Sequence, residues 1–154
     1  KQIAPRKVIK EKGDSIFLAN TSGLNWDLLP LEKGGYRLYL LHGTTKHGVI
    51  PIGDDYSFDL DKEMNVLSWR RYHRSFLEQP ITMNGEEIKE VMHSHTQMTP
   101  YFTATDIANY MLYGHDLYRI KRFSVLSTAF ANTSYLTTFD VEKMKLTSTV
   151  YTVK

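Results

Sequence analysis

Apolar and polar residues alternate with a period of two along several short stretches of the chain, and follow a helical period along only two. Tyr36 to His42 (YRLYLLH) and Val49 to Ile52 (VIPI) read as two strands. The intervening GTTKHG, with its glycines and polar residues, fits a hairpin connection, and Pro51 places the second strand at an edge. Ile16 to Ala19 is a candidate first strand, and Asn20 to Pro30 reads as a loop or single helical turn packed by Trp26. From Leu60 to Leu77 the apolar positions Leu60, Met64, Leu67, Tyr72 and Phe76 approximate helical spacing without a Gly or Pro, which predicts a helix. Pro80 ends that segment and Asn84-Gly85 marks a turn.

Glu87 to His95 reads as a strand in which Lys89, Val91, His93 and His95 share one face, with Ile88, Glu90, Met92 and Ser94 on the other. A polar loop leads to Thr103-Ala-Thr-Asp106, which opens a periodic segment ending at Gly114. Thr103 suits the N-cap, Asp106 the third helical position and Gly114 the C-terminal cap. Arg122 to Phe130, Ser134 to Phe139 and Lys145 to Val153 are rich in β-branched and aromatic residues and predict further strands. The expected fold class is α+β, a mixed β-sheet flanked by about two helices. Residues 1–13, basic and holding Pro5, are expected to form a lead-in or linker, and 14–154 a single domain, expected to be a fragment of a longer protein.

This arrangement brings candidate metal ligands together. On a strand, His93 and His95 have α-carbons about 6.5 to 7 Å apart and point the same way, close enough for two imidazoles to share one ion. Asp106, in the first turn of the following helix, supplies a carboxylate. Two imidazoles and a carboxylate satisfy three positions around zinc and leave a fourth for water, as a catalytic site requires. Thr103 and Asp106 also fit a plain helix-capping pair, and the two roles are compatible.

The string His93-Ser94-His95, seven residues, Thr103, two residues, Asp106 resembles the motif of the JAMM (MPN+) zinc metalloproteases, in their prokaryotic, JAB-like branch. That family includes deubiquitinating isopeptidases and domains attached to polymorphic toxins. The resemblance implies a JAB/MPN-like core of the cytidine-deaminase type, with zinc on His93, His95 and Asp106. Thr103 stands where the family commonly has Ser, and would support the oxyanion; Thr96 stands where it often has Pro. A glutamate upstream is expected to carry the proton. Glu32, in Leu31-Glu32-Lys33-Gly34-Gly35, fits best by position and context, ahead of Glu86, Glu87 and Glu90. The implied activity is hydrolysis of an amide or isopeptide bond in a protein or peptide substrate. The alternatives are an inactive binding or scaffold module of the same fold, and a toxin-associated domain of a larger secreted protein.

Composition narrows the partners. Nineteen basic residues against seventeen acidic ones leave a net charge of +2, too little to argue for nucleic acid or an anionic membrane. The chain has no cysteine, so thiolate zinc sites and a cysteine nucleophile are excluded. No apolar run reaches the length of a membrane span, which fits a cytoplasmic protein or one released from a secreted precursor. Oligomeric state is not legible. The remaining histidines read as solvated: His42 and His47 at a strand end and loop, His115 after Gly114, and His73 on the outer face of the expected helix, within the basic and aromatic run Trp69 to Arg74.

Overall fold

The computed structural model describes residues 24–152 apart from 74, 98 and 131, so the expected lead-in at 1–13 and strand at 16–19 lie outside the described residues. The described residues are mostly β, with 55% of them in strands and 12% helical, and this overturns the expected α+β sheet flanked by two helices. In chain order come β1 (Leu24–Pro30), β2 (Tyr36–His42), β3 (Val49–Gly53), β4 (Tyr56–Leu60), β5 (Val66–Arg71), β6 (Phe76–Pro80), β7 (Thr82–Met83), β8 (Glu86–Glu87) and β9 (Glu90–His95). A short helix α1 (Ala104–Asn109) runs into a π-helical segment (Tyr110–Asp116), followed by β10 (Arg122–Phe130), β11 (Thr133–Asp140) and β12 (Lys145–Thr152).

The helix expected over Leu60 to Leu77 is the largest correction. Asp61 breaks it by building a turn: its carboxylate accepts from the backbone N–H and the side-chain amide of Asn65, both at 2.7 Å. Met64 takes a left-handed φ of 66°. Local side-chain hydrogen bonds of this kind compete with helix formation, and they fold the segment back as the β4–β5 hairpin. The hairpin expected between Tyr36–His42 and Val49–Ile52 is also absent, because β2 already has β1 on one edge and β4 on the other. The second strand, β3, pairs with β6 instead. The stretch read as a loop or helical turn around Trp26 is strand β1.

Two compact units divide the chain, one made of the chain up to Thr44 together with Gly53–Ser75, the other of Thr45–Ile52 and the chain from Phe76 onward. The first holds the antiparallel sheet β1-β2-β4-β5. Leu38, Leu40, Phe58 and Leu60 form its buried cluster, with Leu38 directly opposite Phe58. On the opposite face Arg37 donates to both oxygens of Asp59, at 2.6 and 3.0 Å.

That pair has a pH signature. The Arg37 guanidinium holds the Asp59 carboxyl below its ordinary value, against the opposing effect of burial. A carboxyl depressed on folding stabilises the fold above its unfolded value of about 4 and loses that contribution as pH falls through the folded value. The pair is partly exposed, so screening limits the effect to about 1 kcal/mol or less. Urea melts of the parent and Asp59→Asn should therefore differ at pH 6 and converge as pH falls below about 4; a constant difference would show that the pair carries no proton linkage.

The second unit is organised by the sheet β12-β11-β10-β9, antiparallel except for the parallel pair β9 and β10. A parallel pair needs a crossover, and α1 with the π-helical segment forms part of that connection. Ile50, Ile52, Val91, Tyr110, Ile120, Phe123, Phe139 and Val141 make the core. Gly114, expected as a helix cap, lies inside the π-helical segment. There a Cβ would stand 2.7 Å from the Tyr110 ring, so close packing is the reason for glycine. At Asn84-Gly85 the expected turn is present, with φ of 54° and 83° closing the β7–β8 hairpin, as a turn of primed type requires.

Candidate metal centre

Strand β9 alternates as its sequence implies: Val91 and His95 are buried and His93 is half-buried, whereas Glu90, Met92 and Ser94 are exposed. Glu90 faces away and accepts a hydrogen bond from Ser124. The histidines lie at the carboxyl end of the parallel pair, the end at which open α/β sheets place their ligands. Phe123 of β10 supports them, its ring 5.2 Å from that of His93 and stacked at 5.0 Å on Tyr110. Burial pushes the Tyr110 hydroxyl pKa up, with Glu90 and Asp140 adding to it, so it stays a donor and bonds the Ile120 carbonyl.

Thr103 caps α1 as expected. Its hydroxyl accepts from the Asp106 N–H at 3.0 Å, and its own N–H donates to Asp106 Oδ2 at 2.7 Å, a reciprocal capping box. The Thr103 hydroxyl also donates to Asp106 Oδ2 at 2.7 Å. Asp106 is thereby held by one oxygen while Oδ1 stands 3.3 Å from His93 Nε2.

The imidazoles converge on the same point. His95 Nδ1 lies 2.9 Å from the Tyr101 carbonyl, which only accepts, so Nδ1 carries the proton and Nε2 of the neutral ring presents a lone pair. That Nε2 is 2.6 Å from His93 Nε2 and 3.6 Å from Asp106 Oδ2. Tetrahedral zinc with nitrogens at its usual bond length sets them roughly 3.3 Å apart. An outward shift of less than about 1 Å between the two rings would admit the ion. Three donors of the types zinc prefers, two of them fixed by second hydrogen bonds, fit a metal.

His73, expected on the solvated outer face of a helix, is half-buried instead. It follows β5 in the first unit, where its backbone N–H donates to Asp55 Oδ1 at 3.1 Å and its Nδ1 lies 2.7 Å from the same oxygen. Tyr72 N–H bonds the Asp55 carbonyl, so β4–β5 pairing is what sets His73 beside Asp55. With the segment read as a helix, no local signal indicated this. Within the second unit, His93, His95 and Asp106 bring together ligand atoms that could hold a metal ion.

Comparison with protein-family models, curated proteins and solved structures gives no match to this chain. The metal group therefore stands on geometry and donor chemistry. Of the residues singled out from sequence, His93, His95, Thr103 and Asp106 come together. Glu32 is exposed in the turn between β1 and β2 and is not a member of the group. Among the described residues no helix is long and apolar enough to cross a membrane.

Thr103 can be tested directly. Thr103→Ser should leave stability nearly unchanged, whereas Thr103→Val keeps the shape, removes the cap and should cost about 1 kcal/mol. Urea midpoints of the metal-free proteins measure this; equal midpoints would mean that the capping box contributes nothing.

Proposed function

We propose that this chain is a zinc-dependent hydrolase of amide or isopeptide bonds in proteins or peptides. The observation that carries the reading is the meeting of His93 Nε2, His95 Nε2 and the Asp106 carboxylate within 3.6 Å, with His95 and Asp106 buried. Zinc, when bound, polarises a carbonyl and lowers the pKa of a water ligand toward about 7. The chain's own residues do the rest. His93, His95 and Asp106 hold the ion, Thr103 fixes the Asp106 rotamer, and the Tyr101 carbonyl keeps His95 in the tautomer that offers Nε2.

Hydrolysis adds the water oxygen to the carbonyl carbon and breaks the bond to nitrogen, so one proton must leave the water and reach that nitrogen. Hydrolysis of a fluorogenic peptide library by the zinc-loaded parent, abolished by a chelator, is the expected result. A parent protein that holds zinc but cleaves none of the library any faster than a chelated sample would count against the hydrolase reading.

A further inference from the structure

Ser127 and Asn109 are buried polar side chains of the second unit. Ser127 is 2% exposed and Asn109 3% exposed, yet among the described residues Ser127 Oγ and Asn109 Oδ1 have no hydrogen-bond partner. A buried unsatisfied polar group costs stability, and each one in a native protein calls for an explanation. Both lie beside the metal group. Ser127 is the β10 partner of His95 in the parallel ladder, so their side chains leave the sheet on the same face with α-carbons roughly 5 Å apart. Asn109 is three residues after Asp106 on α1, one turn along the same side.

The backbone singles out Ser127 as well. Pairing of β10 with β11 is regular from Arg122 to Ser127, then slips, since Ser127 pairs with Tyr135 and Phe130 with Thr133. Three steps on one strand against two on the other make a bulge directly after Ser127, a device that re-aims side chains near sites. The hydroxyl proton of Thr103, by contrast, is already engaged by Asp106.

We infer that Ser127 donates a hydrogen bond to the substrate's carbonyl oxygen at the metal group, with Asn109 adding a second polar wall. This rests on the zinc hydrolase reading. Ser127, rather than Thr103, then supplies the side-chain donor to the developing oxyanion, where a correctly placed donor has its largest effect.

Acetohydroxamate, whose carbonyl oxygen stands in for that of an amide, is the probe, read by the visible absorption of the Co2+-loaded protein. The parent should bind it, and Ser127→Ala should bind it about ten- to hundredfold more weakly, as expected for a hydrogen bond to a charged ligand. Co2+ affinity should stay within about twofold, because Ser127 is not a ligand. Ser127→Cys, similar in size and a weaker donor, should fall between. The metal-free Ser127→Ala protein should melt no lower than the parent, because an unsatisfied hydroxyl has been removed. Equal hydroxamate affinity in parent and Ser127→Ala overturns the inference with the metal reading intact, as does a Co2+-loaded parent that binds no hydroxamate. A parent that takes up no Co2+ overturns both.

Discussion

The His95→Ala protein should be purified without metal, where the parent, handled without chelators, should carry about one zinc per chain. His95 is 2% exposed and its Nε2 is the donor nearest to His93, so its loss removes a ligand. Removing an outer-shell partner typically costs ten- to a hundredfold in affinity, and a ligand should cost more than about a hundredfold. Elemental analysis gives the stoichiometry, and competition with a chromophoric chelator gives the affinity. Thermal melts provide an independent readout: saturating zinc should stabilise the parent by about 4 kcal/mol at a thousand times Kd, and the variant hardly at all. His47→Ala, at an exposed loop position outside the metal group, is the control. A His95→Ala protein that retains zinc would end the assignment of this centre.

Phe123→Ala should destabilise the second unit by about 3–5 kcal/mol, the usual cost of truncating a buried aromatic side chain. Phe123 is 1% exposed, stacks on Tyr110 and meets Phe102 edge to face at 5.3 Å. It also lies against the His93 ring, so the cavity should loosen the metal site along with the core. Urea denaturation measures the first effect and zinc competition the second. A loss below about 1 kcal/mol would mean that the core collapses into the space, and that Phe123 does not hold the site in place.

The candidate metal site was more legible than the fold. His93, Ser94 and His95 lie on a strand whose alternation can be read from β-geometry alone, and the Thr103 and Asp106 pair signals a helix start by its own hydrogen bonds. These are short-range features. The helix expected from Leu60 to Leu77 failed because five apolar residues at loose spacing are compatible with either period. The Asp61 turn and the pairing of β4 with β5 settled the segment as strands. His73 was lost with it, since a residue assigned to a helix's outer face cannot be seen beside Asp55. Ser127, one serine in a β-rich run, had no distinguishing mark until the β9–β10 ladder set it next to His95.

The sequence alone therefore determined the candidate donors His93, His95 and Asp106, the capping box at Thr103 and the strands from Arg122 onward, because each depends on contacts within a few residues. Tertiary structure decided the rest: a β-dominated chain in place of an α+β one, β3 paired with β6, His73 beside Asp55 and Ser127 beside His95. Strand pairing joins residues far apart in the chain, and local pattern carries little information about which edges remain open to pair.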